Sequence, residues 1–159
     1  MNILPTNYTV AQLVSAFDDK RLTINKEYQR SDEVWPPFAR SLLVETVLLG
    51  YPMPKLTIRQ RTDMKNLKTF EEIVDGQQRT RALIDFFKGE FALANSLDSV
   101  DLRGKDIDSL EEVERERFVT YSVGADLLVG ASDIEVIEVF RRMNGGVSAL
   151  IEHSSFSVS

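Results

Sequence analysis

Five consecutive residues, Asp75-Gly76-Gln77-Gln78-Arg79, put a carboxylate, a residue without Cβ, two amides and a guanidinium into one turn of chain. That set suits a phosphorylated ligand. Where such a run leaves a strand and opens a helix, backbone N–H groups and the positive end of the helix dipole converge and favour an anion. Gly76 lets a ligand approach the backbone. Arg79, in the first turn, opposes the dipole and needs a partner: Asp75, another carboxylate, or a phosphate that its planar fork grips in two places. Gln77 and Gln78 offer donors and acceptors to base edges or sugar hydroxyls, and Asp75 could ligate Mg²⁺ or orient a water. The same residues also fit an ordinary capped helix, with Asp75 as N-cap, both glutamines exposed and Arg79 paired to Glu71 or Glu72.

Three further clusters carry chemistry. Tyr28-Gln29-Arg30 with Trp35 sets aromatic rings beside a donor fork, a combination that holds bases and phosphates, although Trp35 also suits a core anchor. Phe140-Arg141-Arg142-Met143-Asn144 closes a helix with two cations, which serve the negative helix end or reach a ligand. Lys55, Arg59, Arg61, Lys65 and Lys68 face only Asp63 across fourteen residues, a local excess of +4. They meet nucleic-acid phosphates or form a solvated strand and loop.

The elements that must position these groups follow from periodicity. Thr9 with Gln12 reads as a capping box ahead of Val10, Leu13, Val14 and Phe17, a short helix over 10–18. Leu22-Thr23-Ile24 alternates as a brief strand, and Pro36 and Pro37 belong in a first helical turn or a loop. Leu42, Leu43, Val44, Val47 and Leu48 give a helix over 37–49 that stops at Gly50. A strand around Leu56, Ile58 and Gln60 enters a hairpin-like loop and returns as Phe70 to Val74, directly before the Asp75-Gly76 turn. Leu83, Ile84, Phe86 and Phe87 then keep helical spacing to Gly89. The stretch from Phe91 to Leu102 reads as irregular or weakly extended. Ser109 with Glu112 suggests a capping box for a helix reaching Tyr121, and a short strand is expected near Tyr121–Val123. A last helix, capped by Ser132 or Asp133, turns Ile134, Val136, Ile137 and Phe140 inward and ends at Asn144-Gly145-Gly146.

The 159 residues, 43% hydrophobic and 28% charged, fit one globular domain. Cysteine is absent and His153 is the single histidine. Disulfides, thiolate metal sites and a zinc cluster are therefore excluded. No signal peptide or spanning segment is legible, which makes a cytoplasmic protein without membrane contact the expectation. The net charge of −6 argues against a broad nucleic-acid-coating face. Yet residues 1–93 are net +1 and residues 94–159 net −7, so the acidity belongs to the second half.

Tyr28-Gln29-Arg30 with Trp35, Leu49-Gly50-Tyr51-Pro52-Met53-Pro54, Val74 through Arg79, and Phe140 through Asn144 occur in that order. Over about residues 9–150 the chain thereby resembles the N-terminal domain of the GmrSD-type modification-dependent restriction endonucleases. The resemblance implies an α+β domain over residues 1–151, related to the ParB and sulfiredoxin fold, with a small mixed sheet flanked by helices. A serine-rich tail over 152–159 is expected to be poorly ordered. It further implies binding or hydrolysis of a nucleoside triphosphate with Mg²⁺, gating an attack on modified DNA. Carried over by position, Asp75, Gln78 and Arg79 would be catalytic, with Asp75 also the metal ligand. Gly76, Gln77, Tyr28, Gln29, Arg30, Arg142 and Asn144 would line the nucleotide site, and Lys55, Arg59 and Arg61 would meet nucleic acid.

Departures from the family pattern qualify this. Relatives continue into a helical region and an HNH-type nuclease domain, whereas this chain ends at Ser159 and His153 alone cannot build a histidine-metal nuclease centre. The expectation is a sensor that acts with a separate nuclease subunit or as a stand-alone regulator, with self-association open. Gly104-Lys105 is followed by Asp106, so any nucleotide chemistry is not of the P-loop kind. The alternative is a non-catalytic DNA-binding or protein-interaction module, such as a specificity subunit or an inhibitor of host defence.

Overall fold

A computed structural model describes residues 1–24 and 35–143. The expectations for Tyr28, Gln29, Arg30, Asn144 and the 152–159 tail lie outside the described residues. Strand β1 (Asn2–Thr9) leads into α1 (Val10–Asp18) and β2 (Leu22–Ile24); α2 (Pro37–Leu48) precedes the hairpin β3 (Leu56–Asp63) and β4 (Lys68–Asp75). Helix α3 (Gln77–Phe87), an irregular stretch with one 3₁₀ turn at Val100–Leu102, α4 (Glu112–Thr120), β5 (Ser122–Val129) and α5 (Asp133–Arg141) complete it. The fold is α+β. The five strands form one mixed sheet in the order β1-β5-β3-β4-β2, antiparallel at β1–β5 and β3–β4 and parallel at β5–β3 and β4–β2.

Local chemistry explains most element boundaries. The Thr9 hydroxyl accepts from Gln12 N at 3.0 Å while Gln12 Oε1 accepts from Thr9 N at 2.9 Å, the reciprocal cap expected for α1. Pro37 opens α2, where its missing N–H costs nothing. Ser132 with Glu135 caps α5. Helix α4 differs from expectation: Glu111 and Glu114 form its capping box, and Ser109 instead donates its hydroxyl to Asp106 at 2.7 Å. Ser109 is used in a local turn with Asp106, so the serine nearest the apolar run does not start the helix.

The strand after α4 runs eight residues rather than three, because Gly124 and Asp126, poor strand formers, are carried by pairing on both sides. The N-terminal strand β1 has no counterpart among the sequence expectations. Its burial is slight, and it is a strand because β5 offers a ladder along its whole length.

Helices α1 to α4 cover one face of the sheet. Leu13, Val44, Val47, Leu56, Ile58, Ile73, Leu83, Phe86, Phe118 and Val123 form the main core there, with Trp35 packed at its margin as an anchor. Phe86 meets Phe118 edge-on with ring centroids 5.2 Å apart. A second, small core of Val74 and Val136 with Ala131, Val139 and Phe140 seats α5 on the opposite face. Only Val136 of α5 is fully buried; Ile134 is 81% and Ile137 57% exposed, so the expected inward turn of both isoleucines is corrected. The helix packs mainly on β4, which leaves it too narrow a contact to bury a broad stripe. Among the described residues no helix is long and apolar enough to cross a membrane.

The sheet is rolled so that Tyr8 of the β1 edge donates its hydroxyl to Glu71 of β4 at 2.9 Å. Burial first, and then the Glu71 carboxylate, push this phenol above its ordinary value of 10.0. Below pH 10 the phenol is protonated in both folded and unfolded chains and stability is unaffected. Above it the unfolded chain ionises first, so stability is lost as pH rises toward the folded-state value. Urea denaturation midpoints measured across this alkaline range are expected to fall, and Tyr8→Phe to flatten that fall.

Candidate functional site

Strand β4 delivers Asp75 to the rim of the sheet opposite Thr57, and the chain turns at once into α3. Gly76 is the N-cap, at φ 96° and ψ 24° in the left-handed region, and no side chain caps the helix. This replaces the alternative in which Asp75 is the cap. The glycine is required twice, for its backbone angles and for its space. A Cβ at that position would collide with Leu56 Cδ2 and stand 3.0 Å from Arg79 Nη2.

The guanidinium of Arg79 therefore lies directly over Gly76. Its Nη2 donates to the Lys55 carbonyl at 3.0 Å and stands 3.5 Å from Asp75 Oδ2. Both side chains are mostly buried, at 17% and 15% exposure. Neither Glu71 nor Glu72 is its partner: Glu71 holds Tyr8, and Glu72 lies 3.7 Å from Arg59. The Arg79 Nε is buried and finds no hydrogen-bond partner among the described residues. Such a donor costs free energy, because water has been removed from it without replacement.

The glutamines divide. Gln77 is buried, and its Nε2 donates to the Val74 carbonyl at 2.7 Å, locking the end of the strand to the start of the helix. Gln78 is partly buried in the same first turn. Thr80, which the sequence reading did not single out, is wholly buried and donates its hydroxyl to the Gly76 carbonyl at 2.9 Å. A hydroxyl four residues after a helix-opening glycine is the signal that could have found it.

The structure divides the cationic run into three parts. Lys55 is exposed beside the turn, with its Nζ 2.9 Å from Asp126. Arg59 is corrected: it is buried at 7% exposure, with Nη1 2.8 Å from Asp133 and Nη2 donating to the Ala131 carbonyl at 2.9 Å. It holds the start of α5. Arg61 is exposed beyond the sheet.

Arg59 pairs in the ladder with Glu72, and Val136 packs on Val74, so α5 advances along β4 toward the Asp75 turn. That direction carries Arg141 and Arg142 toward the site. Both guanidiniums are taken up by Glu138, at 2.7 and 2.8 Å, and together they hold its carboxyl down to about 2. No ion pair or hydrogen bond joins Arg142 to the turn among the described residues.

Asp75, Gly76, Gln77 and Arg79 thus converge with Lys55. A family model described as the GmrSD restriction endonuclease N-terminal domain matches residues 10–152. The chain belongs to this family. Membership associates the GmrSD-type domain with DNA restriction. No curated protein and no solved structure gives a significant match.

Proposed function

We propose that this GmrSD-type domain is the nucleotide-binding sensor of a restriction system, taking a nucleoside triphosphate at the Asp75–Arg79 turn and hydrolysing it slowly. The observation that carries the reading is the under-used fork of Arg79, held over a glycine at a helix start that no side chain caps. A phosphate placed there would meet the positive helix end and accept from the fork in two places.

The residues fit Mg²⁺ in its usual mode with nucleotides. Among the described residues no group of three or more His, Asp or Glu side chains gathers into a cage. Mg²⁺ retains several waters and is held through one or two carboxylates together with substrate phosphates, and Asp75 supplies one such carboxylate. The ion would neutralise charge developing on the transferred phosphoryl group. Arg79 would stabilise the same charge, and Gln78 would orient the attacking water. Gln77 and Thr80 position the turn through their hydrogen bonds to the Val74 and Gly76 carbonyls.

A phosphate-release assay with each of the four ribonucleoside triphosphates, with and without duplex DNA, tests hydrolysis. Wild type is expected to release phosphate from at least one of them, and Asp75→Asn to release none. Absence of release under every condition would contradict turnover.

A further inference from the structure

The other end of the hairpin carries a separate feature. Pairing of β3 with β5 stops at Gln60, and pairing of β4 with β2 starts at Glu71. Residues 61–70 therefore project past the sheet as a two-stranded ribbon held by its own ladder, with Arg61 opposite Phe70, Thr62 opposite Thr69 and Asp63 opposite Lys68. A free ribbon this short is marginal in water. Its tip is internally braced: the Asp63 carboxylate accepts from Lys65 N at 2.9 Å and Asn66 Nδ2 at 3.1 Å, and the Asp63 carbonyl accepts from Leu67 N at 2.7 Å. Leu67 sits at φ 56°, in the left-handed region that a residue with a branched side chain enters only under constraint.

The ribbon's outward chemistry is one-sided. Asp63 is spent within the turn, while Arg61, Lys65 and Lys68 are exposed on a chain whose net charge is −6. At the ribbon's base Glu71 accepts from the Tyr8 hydroxyl and Glu72 lies 3.7 Å from Arg59, so both carboxylates are held by partners within the sheet. Met64 is 80% and Leu67 74% exposed at the extreme tip, and neither belongs to a hydrophobic core. A braced ribbon with an apolar tip between cations matches a surface of alternating phosphates and flat base edges.

We propose that the 61–70 ribbon enters the major groove of duplex DNA, with Arg61, Lys65 and Lys68 on phosphates and Met64 and Leu67 against base edges. The major groove admits a two-stranded ribbon, and apolar side chains contact the thymine methyl group there. Six steps of extended chain lead from Lys55 to Arg61, roughly 20 Å. The ribbon is thus distinct from the nucleotide turn, and the proposal rests on family membership rather than on nucleotide binding.

Fluorescence anisotropy of a labelled duplex, titrated with the whole protein without nucleotide between about 0.05 and 0.2 M salt, tests it. Wild type is expected to bind, and the triple variant Arg61→Ala, Lys65→Ala, Lys68→Ala to bind at least about tenfold more weakly, with a salt slope shallower by about 2–3. Met64→Ser with Leu67→Asn should weaken binding at unchanged salt slope. Thermal unfolding of the triple variant should match wild type, since its side chains are exposed, and that of the double variant should match or exceed it, because asparagine enters the left-handed region more readily than leucine. Failure of wild type to bind, equal affinity of the triple variant, or tighter binding to duplex RNA or to anionic vesicles would each overturn the proposal. Nucleotide titration of the triple variant keeps the two sites apart, because it should be unchanged.

Discussion

Gly76→Ala is expected to destabilise the fold by roughly 2–4 kcal/mol, since a Cβ must be forced into the left-handed region and Leu56 displaced. For a domain of this size that lowers the unfolding midpoint by roughly 5–15 °C. Gly50 provides the comparison. It also has positive φ, at 74°, but a Cβ there meets nothing within 4 Å. Gly50→Ala should therefore show only the backbone part, about 1–2 kcal/mol. Thermal denaturation of the two variants side by side separates the terms; equal losses would mean that the contact with Leu56 relaxes freely. Because the displaced Leu56 follows Lys55, whose carbonyl holds Arg79, Gly76→Ala should also disturb the fork.

The strand, turn and helix around the motif were legible because three signals agree: the alternation of Phe70 to Val74, the glycine, and the helical spacing of Leu83 to Phe87. Hairpin β3–β4 and helices α1, α2 and α5 were legible for the same reason. What pattern could not reach were features decided by tertiary pairing. Strand β1 exists through its ladder with β5, and the far half of β5 through neighbours on both sides. Charge runs are equally opaque. Lys55, Arg59 and Arg61 look alike in sequence, yet the arrival of α5 turned one into a buried clamp and left the others exposed on either side of it. Gln77 was legible as polar and adjacent to the turn. Its burial against the Val74 carbonyl follows from packing that no spacing rule encodes.

Arg79→Ala should have the largest effect on ligand binding with a small effect on the fold. The fork's links to the protein are one hydrogen bond to a carbonyl and a 3.5 Å approach to Asp75, so its loss leaves few partners stranded. Two charge-assisted hydrogen bonds to a phosphate are worth roughly 1.5–3 kcal/mol, about a 10- to 100-fold change in Kd. Arg79→Lys should recover only part of this, because a point charge cannot accept the bidentate geometry. The most direct measurement is calorimetric titration of Mg²⁺ and nucleoside triphosphate into wild type and Arg79→Ala. Saturable binding by wild type, weakened about 10- to 100-fold in the variant, is the predicted result; equal affinity in the two proteins would contradict a nucleotide site at the Asp75–Arg79 turn.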